Sequence, residues 1–422
     1  MRGKFRTGSR RRLPVRYVVL VLFFTAAVAG AYLYGRSQSP AGMGPGEQNS
    51  VKLYAQALNI VRNHYVEQSA IKPKKMTYAA IQAMLNTLGD RGHTRFLTPE
   101  EVKSNQQELS GKYVGVGIQL EQRGDRAVIV APIDGSPAAK AGIRPGDVIV
   151  AVNGASVRGE DISKVARRVR GPKGTTVRIT VKRGGGLHTY VLRREEVNVP
   201  AASWALLGDH VADVRLSSFS RDSASQLRKA VQAARAAGAR RFILDLRDNP
   251  GGEVDQAVQA AGVFLEPGRV VYIRRDSSGA RQKIRVPDDA HPVKAPLAVL
   301  VNHGTASSAE ILAGALRDDG RAKVIGTRTF GTGTVLAEYS LSDGSAILIG
   351  VADWLTPDGD FIRKSGIEPN VVVKLGKGDR QIIPAQLRHT SQKEALRKDP
   401  QLARACDELV PRSRSGVGAT SR

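Results

Sequence analysis

Residues 301–326 read VNHGTASSAEILAGALRDDGRAKVIG. An apolar strand, PLAVLVN (296–302), enters a turn of small residues. SAEILAGALRDDG (308–320) follows as a helix, and AKVIGTRTF (322–330) resumes as a strand. A sharp strand-to-helix junction of this kind exposes a serine hydroxyl, while the N–H groups that open the helix can hold a developing oxyanion. TASSAE (305–310) is also a good helix N-cap, and pattern alone does not separate the two roles.

The alternation spreads upstream. HVADVRLSSF (210–219) and RRFILDLRD (240–248) read as strands, SASQLRKAVQAARAAG (223–238) and EVDQAVQAAGVFLE (253–266) as helices. Strands alternating with helices imply an α/β core around a largely parallel sheet. Residues 51–110 read helical instead, with Val51, Leu53, Tyr54, Leu58 and Val61 at helical spacing; LTPEEV (97–102) starts a helix with Thr98 as N-cap, Pro99 at N1 and Glu101 at N3. Between 111 and 196 lie short strands broken by glycine, with one helix-like insert, EDISKVARRVRG (160–171). The expected α/β multidomain chain therefore has a basic segment and membrane anchor (1–36), a linker (37–50), a helical region (51–110) and a mixed module (111–196). An α/β core (197–378) and a helical tail with a disordered basic terminus (379–422) complete it.

In the mixed module, YVGVGIQL (113–120) sets Gly115 and Gly117 just before an alternating strand. Glycines there let successive N–H groups converge on an anion, and the strand can pair with an extended peptide. Downstream, SPAAKAGIRPGDVIVAVNGASV (136–157) is a small-residue helix, a Pro-Gly turn and a strand closing in Asn-Gly. The module resembles a PDZ domain. The resemblance implies that a C-terminal carboxylate sits on the N–H groups of Val114, Gly115, Val116 and Gly117, with an added strand along Ile118 and Leu120. A small barrel without a ligand is the bland alternative.

Further motifs occur in order: LGDRGHTRFLTPEE (88–101), DLRDNPGGEVDQAV (245–258), the serine stretch, LSDGSAI (341–347) and LTPDGDFIRKSGIEPNVVV (355–373). Together with the PDZ-like module, they make the chain resemble the carboxyl-terminal processing proteases, tail-specific serine peptidases of the S41 type. The resemblance covers about 60 to 380 and implies a crotonase-like α/β protease core. It puts Ser307 at the nucleophile position and Glu310 at the motif's closing glutamate. It also implies oxyanion donors from Ser308 and the Gly251–Gly252 turn, and a structural role for Asp318 beside Arg321.

The departure is at the base. Family members with a Ser–Lys pair carry F-G-K-G-x-V-Q, whereas residues 330–336 here read FGTGTVL. Thr332 stands where the lysine is due and Leu336 where the glutamine that orients it is due. A threonine hydroxyl is no general base near neutral pH, and a leucine orients nothing. Lys323, Lys364 and His303 qualify only if folding brings them to Ser307. Tricorn-type relatives use a histidine from a segment like LGDRGHT, which makes His93 the candidate base and Glu368 its candidate orienter.

Composition narrows the partners. Lys and Arg exceed Asp and Glu by 25, but seven basic residues lie between Arg2 and Arg16, and aromatics are only 5%, so no nucleic-acid module is legible. Tyr17 to Tyr34 is 18 residues without a charge, long enough to span a bilayer behind the cationic cluster. That charge keeps the N-terminus cytoplasmic and sends the rest across the membrane. Cleavage near Ala29 is the alternative. Cys406 is the only cysteine, so no intrachain disulfide forms, and neither a metal nor a cofactor is implied. Two functions follow as expectations: an anchored extracytoplasmic serine endopeptidase whose PDZ domain takes protein or peptide substrates by their C-terminal carboxylates, or a protease-like scaffold that binds such tails without cutting.

Overall fold

The computed structural model describes residues 44–89, 94–133, 135–388 and 390–410. The basic cluster, the apolar stretch 17–34, His93 and the terminus from 411 lie outside the described residues. Among those described, no helix is long and apolar enough to cross a membrane. Contacts divide the chain into two compact units, residues 1–79 and 80–422.

The first unit contains helix α1 (Pro45–His64) and the opening of α2 (Pro73–Asn86). Glu47 reaches back to accept from the Gly44 N–H at 2.9 Å, which satisfies a donor just ahead of α1.

The second unit takes in the rest of α2 and continues with β1 (Arg95–Leu97) and α3 (Pro99–Leu109). Thr98 caps α3 as its spacing predicts: the Glu101 N–H donates to Thr98 Oγ1 at 3.2 Å, and Glu101 accepts from the Thr98 N–H at 2.8 Å. β1 itself departs from the helical reading, because Phe96 and Leu97 are buried and the strand pairs with a distant partner, Arg95 opposite Leu348.

The mixed module follows: β2 (Lys112–Gly115), β3 (Ile118–Arg123), β4 (Arg126–Pro132), α4 (Pro137–Lys140), β5 (Val148–Val152), β6 (Ala155–Ser156), α5 (Ile162–Val169), β7 (Thr176–Arg183), β8 (Gly186–Arg193) and β9 (Glu195–Asn198). Its sheet runs β3-β4-β5-β7-β8, with β6 on β5 and a separate β2–β9 ribbon at its entrance and exit. Ile129, Ile149, Val165 and Ile179 form its centre.

The α/β core contains β10 (Ala202–Leu206), β11 (Val211–Leu216), α6 (Ser223–Ala236), β12 (Arg241–Asp245), α7 (Val254–Ala261), β13 (Val270–Arg275), β14 (Arg281–Arg285), β15 (Leu297–Val301), α8 (Ser308–Asp318), β16 (Lys323–Gly326), β17 (Thr334–Ser340), β18 (Ala346–Leu355) and β19 (Val371–Val372). Helices α9 (Pro384–Leu387), α10 (Gln392–Lys398) and α11 (Pro400–Leu409) close the chain. The main sheet, β10-β11-β12-β15-β16-β19, is parallel from β11 onward, with β10 antiparallel at its edge. Its strand ends at β12 and β15 carry the two turns of the site. A second, antiparallel sheet joins β1, β18, β13 and β14, with β17 on β18.

β16 stops at Gly326, short of the strand expected to reach Phe330. Gly326 has φ 134°, and a Cβ there would stand 1.9 Å from the Val301 carbonyl, so only glycine can turn the chain so close to β15. The next residues leave the sheet to wrap the side chain of Glu310.

Candidate active site

Ser307 ends the turn between β15 and α8 with φ 54° and ψ −123°, a backbone conformation that L-residues adopt only under constraint. The constraint comes from Glu310, which is fully buried. Its Oε2 accepts from the N–H groups of Ser307 (2.9 Å) and Thr332 (3.0 Å). Its Oε1 accepts from the Thr329 hydroxyl (2.5 Å) and the Gly331 N–H (2.7 Å). The motif's glutamate therefore ties the serine turn to residues 329–332, the stretch where the missing lysine is due.

Thr332 is 5% exposed, and its Oγ1 accepts from the Ser307 N–H at 3.1 Å. The substituting side chain thus contacts the backbone of the serine. The Ser307 hydroxyl itself has no hydrogen-bond partner among the described residues. Leu336 lines the same cleft from β17.

Across the cleft, the Gly251–Gly252 turn follows β12. A Cβ on Gly251 would stand 2.7 Å from Ser307 Cβ and 2.9 Å from the Ser308 nitrogen, so the two turns are in backbone contact. The Ser308 hydroxyl donates to the Gly252 carbonyl at 2.9 Å and locks them together. The Gly251 N–H is already committed to Asn249 Oδ1 at 2.9 Å. That narrows the expected donor set, because the N–H groups of Gly252 and Ser308 donate to no group among the described residues. Sequence reading passed over Asn249. Its side-chain amide donates to the Leu216 carbonyl (2.8 Å) and its backbone carbonyl accepts from the Ala306 N–H (2.9 Å). One residue of the NPGG stretch thus ties both turns together, the glycine turn through its side chain and the serine turn through its backbone.

The cleft in front of Ser307 measures about 640 Å³. Glu253, Asp255 and Glu338 line it, and among the described residues no Lys, Arg or His does. Thr334, 7% exposed, also lines it with a hydroxyl that has no partner among the described residues, a group no sequence signal marked.

The other candidate bases are elsewhere. Lys323 pairs with Glu408 at 2.7 Å on α11. Lys364 is exposed, and its backbone N–H donates to the Gly331 carbonyl at 2.8 Å. The exposed His303 ring lies 5.7 Å from that of Phe330, and the phenylalanine lines the cleft instead. Glu368 pairs with Arg328. Asp318 does not pair with Arg321 as expected. It holds Arg317 at 2.8 Å, while Arg321 donates to the carbonyls of Phe264, Val293 and Ala295, because the segment 293–295 comes closer to it than α8's own end.

In the mixed module, Val114 and Gly115 lie on β2, in ladder register with Glu196 and Glu195 of β9. Val116 and Gly117 follow, Gly117 with φ 76°, and Ile118 and Leu120 begin β3. All but Val114 line a groove of about 580 Å³ closed on its far side by α5.

The Peptidase family S41 profile matches residues 210–373, and the PDZ domain profile matches 128–183. The chain is 33% identical over 372 residues to the carboxy-terminal processing protease CtpA of Bacillus subtilis (strain 168), covering 87% of this chain and 78% of that one. It is 31% identical to the photosystem II D1 C-terminal processing protease, covering 76% of this chain and 92% of the other, with a TM-score of 0.47. A Bacteroides fragilis NCTC 9343 protein assigned to the S41 proteases shares the fold at 18% identity and a TM-score of 0.51, over 75% of this chain and 90% of that one. An α/β multidomain chain with a PDZ domain, a serine in a strained turn and identity of this extent to such enzymes belongs to peptidase family S41, among the carboxy-terminal processing serine proteases.

Proposed function

We propose that the protein is a membrane-anchored endopeptidase working outside the cytoplasm, whose PDZ domain holds a substrate's C-terminus while Ser307 attacks a peptide carbonyl upstream. The observation that carries this reading is the Ser307 hydroxyl, which has no partner among the described residues, on a strained turn beside the N–H groups of Gly252 and Ser308, which donate to none of those residues either. In the reaction, Ser307 Oγ bonds to the carbonyl carbon, and the carbonyl oxygen takes negative charge against those two N–H groups. The C–N bond then breaks as the leaving nitrogen takes up the proton that Oγ gave to the base, and water hydrolyses the acyl–Ser307 ester to free the serine. The proton from Oγ goes to a base other than lysine, because Thr332 holds that place. His93 is our candidate. Glu368 is a poor orienter for it, since its carboxylate is already paired with Arg328. The segment 17–34 supplies the anchor and the cationic cluster before it the orientation.

Thr332 and Leu336 favour a second reading, a scaffold that binds tails and cuts nothing. The two part when the full chain, in detergent, is incubated with an unstructured protein beside Ser307→Ala. Cleavage by the wild type alone supports the enzyme; no cleavage by either, with tail peptides still bound, leaves the scaffold. An unchanged rate in His93→Ala removes His93 as base. Release from membranes by carbonate alone, without detergent, would sink the anchor.

A further inference from the structure

The PDZ groove contains a side chain that its peptide-binding role does not call for. Tyr113, on β2, sets the edge of its ring against Gly115: a Cβ on that glycine would stand 2.6 Å from Tyr113 Cε2. The Arg170 guanidinium covers the ring at 5.5 Å from its centroid and holds it in place. The phenol oxygen faces the N–H groups of Gly117 and Ile118, where a peptide carboxylate would dock and its added strand would begin. Nothing bulkier than glycine fits at 117, since a Cβ there would stand 2.2 Å from Ser136 Cβ. The cradle is thus shaped by its backbone, and the tyrosine oxygen sits at its mouth.

We propose that the Tyr113 phenol is a resident stand-in for the substrate carboxylate, a specificity residue that every incoming tail must displace. The inference rests on the reading of this module as a binder of C-terminal tails. Burial raises the phenol's pKa, only partly offset by Arg170 and the two N–H groups, so at neutral pH the oxygen is an uncharged acceptor. A carboxylate makes the stronger, charge-assisted bond to the same donors and wins the exchange. A neutral chain end gains little over the phenol already there, so the tyrosine raises the threshold for binding and filters for a charged terminus. Tyr113→Phe keeps the ring, its contact with Gly115 and the Arg170 cation, and removes only the competing oxygen.

The test uses the full chain in detergent and a fluorescein-labelled pool of decapeptides ending in Leu or Val, with free carboxylate or C-terminal amide, read by anisotropy. Tyr113→Phe should bind the free-carboxylate pool about five-fold tighter, the effect of removing one modest competing hydrogen bond. Binding to the wild type should also produce a tyrosine ultraviolet difference spectrum that is absent in the variant. Equal or weaker binding by Tyr113→Phe, or binding to the wild type without the tyrosine signal, overturns the inference while tail capture stands. If neither protein prefers the free acid to the amide, the tail-capture reading falls and this inference falls with it.

Discussion

Four donors converge on Glu310, and two of them are the backbone N–H groups of Ser307 and Thr332. Among the described residues no cation shares this carboxylate; backbone and one hydroxyl hold it, as suits a fully buried acceptor. Glu310→Ala leaves those donors buried without an acceptor and removes what holds the strained φ of Ser307. We expect a loss of about 4 kcal/mol in urea unfolding and no labelling of Ser307 by a fluorophosphonate. A stable variant that still labels would mean the turn is held by something else. Gly251 is a second single-residue test. At φ 94° and 2.7 Å from Ser307 Cβ, an alanine must push the two turns apart. Since the Gly252 N–H moves with that turn, Gly251→Ala should slow fluorophosphonate labelling about a hundredfold, the usual cost of one misplaced oxyanion donor. Stability should fall only modestly, by about 1 to 3 kcal/mol. Labelling at the wild-type rate would remove the Gly251–Gly252 turn from the reaction.

The face of the main sheet away from α8 packs on α11, and a set of charges is buried between them. Arg247, fully buried, donates to both oxygens of Asp245 (3.0 and 2.8 Å) and of Asp399 (3.1 and 2.8 Å). Asp399 is also the N-cap of α11, so Arg247 clamps the C-terminal helices to the loop that leads to Gly251. Asp213 on β11, equally buried, has no hydrogen-bond partner on either oxygen among the described residues. Burial pushes its pKa well above the usual carboxylate range, and the nearby Asp245 adds to the rise, against the pull of Arg247 and Arg215. Between the ordinary carboxylate pKa and that raised value, the folded chain keeps a proton that the unfolded chain has released. Stability therefore falls as pH rises through this window. The urea midpoint of Asp213→Asn should drop less than that of the wild type from about pH 5 to about pH 8, and parallel curves would refute the assignment. This layer also shows where sequence reading stops. The alternating strands and helices were legible because α8, β15 and their neighbours repeat locally. Arg247 meets Asp399 across 152 positions, and β1 meets β18 across some 250, so no local period reveals either contact. In the site, Ser307, Gly252 and the replaced Thr332 could be found by motif spacing. The Asn249 lock, the Thr334 hydroxyl and the ring of Tyr113 are through-space facts with no spacing to betray them.

Helix α3 is where the groove and the cleft come together within the second unit. Ser104 lines the PDZ groove, while its neighbour Asn105 and the last residue, Leu109, line the cleft in front of Ser307. Asn105 donates to Glu338 at 3.3 Å in the cleft, and the Leu109 carbonyl accepts from the Arg221 N–H at 2.7 Å in the core. Three residues after α3 ends, β2 begins, and it carries Tyr113 into the groove. A peptide filling the groove would meet the middle of one rigid rod whose neighbouring residue and C-terminal end form a wall of the cleft. A helix passes on a shift along its length because its backbone hydrogen bonds resist bending. Saturating the wild type with a free-carboxylate decapeptide should slow amide hydrogen exchange over 99–115 as well as at the groove, and should change the fluorophosphonate labelling rate of Ser307. The amidated peptide should do neither. Protection confined to residues 113–120 and 162–170, with an unchanged labelling rate, would mean that the two sites act independently and that α3 is only a shared wall.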